Sequence, residues 1–153
     1  MPRIEIHLPD DESDLSVSLI RRVARTVIRG EAWPWQRDLS IIFTDADTIQ
    51  DLNSRFLGHD RVTDVMAFRL DDDDTNLWGE VYVCVNQARV QSEMYHVPLL
   101  HELTRLVIHG VLHLMDLDDG DPDARAEMTR KEDRYLAEMV PIRLTSPNQH
   151  ETA

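Results

Sequence analysis

The stretch VPLLHELTRLVIHGVLHLMDLDD, residues 97–119, is the most apolar part of the chain, and the rest of the molecule must pack around it. Pro98 is suited to the start of a helix, and apolar residues then recur around every face as far as Met115. A helix that is apolar on all sides is buried in a protein core. We therefore predict a central buried helix over residues 99–115.

This segment is not expected to cross a membrane. It carries the ionisable side chains His101, Glu102, Arg105, His109 and His113, which lipid cannot satisfy. The sequence opens without the basic and apolar regions of a signal peptide, and Cys84 is the single cysteine, so an intrachain disulfide is impossible. A cytoplasmic protein is the expectation.

The sequence on either side of the central helix predicts alternating strands and helices. Apolar alternation indicates strands over residues 3–8, 39–43, 62–68 and 78–85. Helical spacing indicates helices over residues 14–29, 45–57 and 122–139. These elements in 153 residues predict a single α/β domain, α+β-like in character, over residues 1–153. A mixed four-stranded sheet packs with about four to five helices, and the tail after about residue 141 frays.

Local signals refine these helices. Ser13 is the predicted N-cap of the first helix, and Asp121 caps the last one ahead of Pro122. The short helix over residues 45–57 is expected to bury Phe56, together with Ile49 and Leu52.

A pair of histidines on the central helix predicts a metal site near its end. His109 and His113 are four residues apart, so both rings project from one side of the helix. That arrangement suits zinc, although two ordinary histidines are the alternative interpretation. Gly110, between them, would let another element approach closely.

The third ligand is expected among the carboxylates that follow. Asp119 lies six residues after His113, the spacing used by zincin-type sites. Asp116, Asp118 and Asp121 are the rivals, and Asp121 is also the predicted helix cap. Residue spacing alone leaves these alternatives open.

At this point the sequence resembles the YbeY family of bacterial endoribonucleases and rRNA maturation factors. HGVLHLMDLDD resembles the family's HGxLHLxGYDH, and residues 52–68, LNSRFLGHDRVTDVMAF, resemble LNxxYRxxxxxTDVLSF. GEVYVCV is similar to the family's GDIxIS strand, and Met128 with Glu132 fits an MxxxE pattern. The likeness extends from about residue 4 to 139.

The resemblance implies a zinc ion bound by three residues. His109 and His113 correspond to the first two ligands, and Asp119 stands where the family has a third histidine. An anionic oxygen in place of a neutral nitrogen makes the bound water less acidic. It also makes manganese or another divalent metal more competitive with zinc.

The resemblance also implies action on single-stranded or ribosomal RNA. Leu57 stands where the family has an arginine expected to contact phosphate, so Arg55, His59 and Arg61 become the candidates for an RNA groove. Asp118 is a weak candidate for a proton acceptor, with a role in holding the turn as the alternative.

The implied function is a zinc-dependent, single-strand-specific endoribonuclease in 16S rRNA 3′-end maturation and ribosome quality control. Ribosomal RNA and the small ribosomal subunit would be its partners. The net charge of −13 disfavours broad nucleic-acid binding and supports an alternative, a ribosome-assembly factor with a structural metal. A metal-dependent hydrolase of another substrate, such as peptide, is the second alternative. Gly110 replaces the glutamate that metalloproteases use as general base, which disfavours that second alternative.

Overall fold

A mixed four-stranded sheet forms the centre of the molecule in the computed structural model, which describes residues 2–9, 15–58, 63–70, 76–117 and 120–139. Its strands are β1 (Ile4–His7), β2 (Asp38–Thr44), β3 (Val65–Arg69) and β4 (Leu77–Cys84). The order across the sheet is β1-β2-β4-β3, with β1, β2 and β4 parallel and β3 antiparallel to β4. The predicted α/β class and four-stranded mixed sheet are therefore confirmed.

Five α-helices surround the sheet in the described residues. They are α1 (Val17–Gly30), α2 (Ala46–Leu52), α3 (Val85–Tyr95), α4 (Leu99–Leu114) and α5 (Pro122–Met139). The main core lies between the sheet and helices α1, α4 and α5. A smaller apolar cluster of Ile49, Met66 and Cys84 lies under α2 on the opposite face.

The predicted central helix is confirmed as α4. Leu103, Val107 and Val111 are fully buried in it, and the helix packs against β3, β4, α1, α3 and α5. We did not expect α4 to span a membrane. In the described parts of the chain, no helix is both long enough and apolar enough to cross a bilayer.

Two local predictions need correction, and one helix was missed. The first helix begins at Val17, and its N-cap is Ser16, whose hydroxyl accepts a hydrogen bond from the Leu19 amide at 3.2 Å, so the predicted start at residue 14 is wrong. Phe56 is 62% exposed, because the chain widens into a π-helical turn over Asn53–Leu57 and rotates that ring away from the core. Helix α3 was not predicted at all.

The predicted cap of the last helix is confirmed. The Asp121 carboxylate accepts a hydrogen bond from the Ala124 amide at 2.8 Å, and α5 begins at Pro122. The predicted fraying tail lies outside the described residues, as does Ser13.

Candidate metal centre

Helix α4 places the two histidine rings next to each other. The ring centroids of His109 and His113 are 4.6 Å apart, with the rings inclined at 63°. Both residues are half-buried, while their neighbours Ile108 and Leu112 are fully buried. The pair therefore lies at the border of the core, where a bound ion could remain open to substrate on one side.

Gly110 brings this part of α4 against the sheet. A Cβ atom at Gly110 would lie 2.5 Å from Val81 Cγ1 and 3.2 Å from Val65 Cγ2. Only a residue without a side chain allows such a close approach. The prediction that another element approaches at Gly110 is confirmed, and that element is the β3–β4 pair.

Helix α5 supplies a carboxylate behind the first histidine. His109 Nδ1 lies 2.6 Å from Glu132 Oε2, and Glu132 is only 5% exposed. An ionised carboxylate can only accept, so Nδ1 carries the proton in this hydrogen bond. Metal-binding histidines in proteins are commonly held by such a hydrogen bond from one ring nitrogen, with the other nitrogen as the metal ligand.

A buried network in turn holds Glu132. Arg105 Nη1 donates to Glu132 Oε1 at 3.1 Å, and Arg105 Nη2 donates to Glu102 Oε2 at 2.5 Å. Gln91 Nε2, from α3, donates to the same Glu102 oxygen at 2.6 Å. Burial alone would lower the pKa of Arg105, but hydrogen bonds and charges from the two glutamates outweigh burial and raise the pKa. The guanidinium is thus permanently charged.

The charge of this network favours a cation beside His109. The two carboxylates of Glu102 and Glu132 contribute two negative charges, and Arg105 contributes one positive charge. The remaining negative charge lies behind the imidazole, in a partly buried setting where electrostatic interactions are weakly screened.

Two of the four candidate carboxylates have other roles. Asp116 forms an ion pair with Arg69, with 2.5 Å between Oδ1 and Nη1, and Asp121 caps α5. Asp118 and Asp119 lie outside the described residues. Within the described ranges, no group of three metal-binding side chains comes together. The assignment of Asp119 as third ligand, and of Asp118 as proton acceptor, therefore stays a prediction.

The predicted RNA-groove residues are not brought beside the histidines. Arg55 lies on the π-helical turn, 61% exposed, with its Nε 3.1 Å from Asp51 Oδ2. That turn follows α2 on the face of the sheet opposite α4. His59 and Arg61 lie outside the described residues.

Sequence reasoning missed the network behind His109. In the sequence, Glu102 and Arg105 are only polar interruptions of an apolar helix, and Glu132 is only part of a family pattern. A signal was available in α5, because Glu132 lies on the same helical stripe as the buried Met128, Tyr135 and Leu136. A carboxylate at a core position requires a partner on the neighbouring helix.

Known proteins are similar to this chain over most of its length. The family model for endoribonuclease YbeY matches residues 5–140. The proteins named endoribonuclease YbeY from Salinibacter ruber and Chloroherpeton thalassium are each 33% identical. Their alignments cover 84% and 82% of this chain and 86% and 88% of the respective relatives. The solution structure of TM1509 from Thermotoga maritima superposes with a TM-score of 0.65 at 28% identity, covering 95% of both chains.

Proposed function

The chain belongs to the endoribonuclease YbeY family, and on that basis we propose that it is a metal-dependent endoribonuclease that cleaves single-stranded RNA. The observation that best supports the proposed metal dependence is the hydrogen bond from His109 Nδ1 to the buried Glu132 carboxylate. This hydrogen bond fixes the ring of His109 beside the ring of His113, with 4.6 Å between the centroids.

The donor set fits one divalent cation. His109 and His113 would hold the metal through nitrogen, with Asp119 as the proposed third ligand. Three protein ligands with an open position are typical of catalytic zinc. When bound, such an ion polarises a phosphoryl oxygen or lowers the pKa of water. The carboxylate of Asp119 would make manganese a stronger competitor for the site than three histidines would.

The residues around the site position its donors. Glu132 fixes the tautomer and orientation of the His109 ring. Arg105 holds Glu132 in place and is itself held by Glu102, so the orientation of His109 depends on three elements, α3, α4 and α5. Asp118 is the proposed proton acceptor. Gly110 occupies the place of the metalloprotease glutamate, which disfavours peptide hydrolysis.

The biological setting is proposed from the family. We place the activity in 16S rRNA 3′-end maturation and ribosome quality control in the cytoplasm, with ribosomal RNA and the small subunit as partners. The net charge of −13 and Leu57 in place of an arginine favour a second candidate. This is an assembly factor that binds the small subunit with a structural metal and cuts little RNA.

A cleavage assay separates the two candidates. Zinc- or manganese-loaded protein is incubated with end-labelled single-stranded rRNA, alongside His113→Ala and the control His7→Ala on β1. We expect cleavage by wild type and His7→Ala, and its loss in His113→Ala or in chelator. Cleavage that persists in a folded His113→Ala would exclude the proposed site, while small-subunit binding without cleavage by wild type would favour the assembly factor.

A further inference from the structure

The face of the sheet opposite the histidines carries a cavity. It has a volume of about 400 Å³, within the range of small-molecule sites, roughly 300–1,000 Å³. Its walls come from the end of α2, the π-helical turn, β3 and β4. The lining residues are Leu52, Arg55, Phe56, Phe68, Arg69, Leu70, Glu80 and Tyr82.

Three aromatic rings form one side of this cavity. The Phe56 and Phe68 centroids are 5.7 Å apart at 65°, and the Phe68 and Tyr82 centroids are 5.9 Å apart at 75°. Phe56, at the outer end of the series, is 62% exposed. An exposed aromatic face next to a cavity is the feature on which proteins stack unpaired bases.

The inner end of the series carries a hydrogen-bonding pair. The Tyr82 hydroxyl donates to Glu80 Oε1 at 3.1 Å. Burial of Tyr82, assisted by the charge of Glu80, raises the pKa of Tyr82 to about 12, so the hydroxyl remains a donor at neutral pH. A carboxylate accepts about four hydrogen bonds, so Glu80 can accept others from a ligand in the cavity.

We propose that this cavity binds a single unstacked base of the RNA, with preference for guanine; the proposal rests on the ribonuclease function above. Phe56 stacks on the base, and the Glu80 carboxylate accepts hydrogen bonds from it. Guanine presents N1–H and an N2 amino group side by side, which matches the two oxygens of a carboxylate. Uracil offers one N–H between two carbonyl oxygens, and a carboxylate repels those oxygens.

The position of the cavity connects it with the histidine helix. Successive side chains of β3 face opposite sides of the sheet: Phe68 lines the cavity, while Val65 contacts the α4 backbone region at Gly110. Arg69 lines the cavity and also reaches Asp116, just beyond α4. An RNA strand held by one base in the cavity would have to pass around the edge strand β3 to reach the histidine pair on the other face. Arg55, at the cavity, offers a phosphate contact.

Binding of labelled hexanucleotides tests the proposal. Fluorescein-labelled UUUGUU and UUUUUU are titrated with the full chain in EDTA, and anisotropy gives each Kd. Wild type is expected to prefer the guanine probe. Phe56→Ala should weaken binding of that probe about 5- to 150-fold, the range given by loss of one stacked base, and Phe56→Tyr should restore it. Glu80→Gln should bring the ratio of the two Kd values close to one.

The matched control is Met94→Ala, since Met94 is 63% exposed on α3; we expect it to bind like wild type. Equal binding of both probes by wild type, or a folded Phe56→Ala within twofold of wild type, would overturn the proposal. The latter result is also the one expected if the cavity takes a protein segment instead. Metal-dependent cleavage is measured on the same proteins. Cleavage that depends on His113 but not on Phe56 would support the ribonuclease function and exclude the base site. Absence of cleavage by wild type would refute the ribonuclease function itself.

Discussion

Glu132 is the residue that gives the proposed metal site more support than two adjacent histidines alone would. It is almost fully buried, and its two oxygens bind different partners, His109 and Arg105. A buried carboxylate with both oxygens engaged holds the imidazole in one orientation. The metal affinity should therefore depend on a residue that does not touch the metal.

Replacing Glu132 with glutamine should weaken zinc binding about 10- to 100-fold, the usual cost of losing a partner behind a ligand. The amide fills the same space but removes the charge that faces His109. Competition with a chromogenic chelator measures the affinity, with Glu127→Gln as control on the exposed side of α5. Equal zinc affinities in the two variants would contradict this role of Glu132.

Asp116 ends the histidine helix in an unusual backbone conformation. Its φ is 68°, in the left-handed region, where asparagine and aspartate are better tolerated than most residues. Its carboxylate pairs with Arg69, but the two side chains are 69% and 36% exposed, so this ion pair contributes at most about 1 kcal/mol. We therefore expect the backbone conformation of Asp116 to affect the free energy of unfolding more than its ion pair does.

Asp116→Val should therefore lower the free energy of unfolding by about 1–2 kcal/mol, while Asp116→Gly should stay within about 1 kcal/mol of wild type. Asp116→Asn isolates the ion pair, since it keeps the tolerance for this conformation. Urea denaturation measures all three variants. A valine variant as stable as the glycine variant would show that the turn readily adopts another conformation.

Among the elements, the contact of α4 with the sheet is the one most sensitive to volume. Gly110→Ala would place a methyl group 2.5 Å from Val81, a stiff side chain in the core. We expect destabilisation of about 1–3 kcal/mol, despite the better helix propensity of alanine. Gly120→Ala is the control, because no heavy atom lies within 4 Å of a Cβ there. Thermal unfolding that is unchanged by Gly110→Ala would disprove the tight contact.

Glu31 joins the end of α1 to α5 and should make stability depend on pH. It accepts hydrogen bonds from Lys131 and Tyr135 at 2.5 and 2.6 Å. Burial alone would raise the pKa of Glu31, but these partners outweigh burial and lower the pKa below its ordinary 4.5. Its contribution is thus present above about pH 4.5 and is lost as the pH falls through the lowered value.

Glu31→Gln should therefore destabilise the protein at pH 7 by about 1.5–3 kcal/mol, the scale of a hydrogen bond to a charged group. The difference from wild type should shrink as the pH falls below 4.5. Chemical denaturation across this pH range measures it, with the exposed Glu93→Gln as control. A difference that stays constant with pH would mean that the charge of Glu31 contributes nothing.

Elements with clear periodicity could be predicted from the sequence, and α3 shows why others could not. Its buried residues include Gln91 and Ser92 as well as Val85 and Ala88, while Met94 is exposed. Gln91 can be buried because it donates a hydrogen bond to Glu102 on α4. Since polar residues occupy buried positions, the apolar pattern that indicates a helix is absent from the sequence. The exposure of Phe56 could not be predicted for a related reason. The π-helical turn departs from the 3.6-residue period on which the prediction of a buried Phe56 depends.

At the scale of the whole molecule, the sheet separates two features of the fold. The histidine pair and its network lie on the α4 side, and the aromatic cavity lies on the α2 side, with edge strand β3 between them. The sequence predicted the histidine pair, because i and i+4 spacing is local information. It did not predict the cavity or the contact of His109 with Glu132, because those contacts join residues far apart in the chain.

The measurement that tests the central claim most directly is the zinc content of the purified protein after loading and buffer exchange. Wild type should hold one zinc ion per chain. His109→Ala, His113→Ala and Asp119→Ala should each fall well below that value, whereas Asp118→Ala should retain it. Loss of zinc in Asp118→Ala but not in Asp119→Ala would show that the third ligand is Asp118. A folded wild-type protein that holds no stoichiometric zinc or manganese would contradict the metal centre altogether.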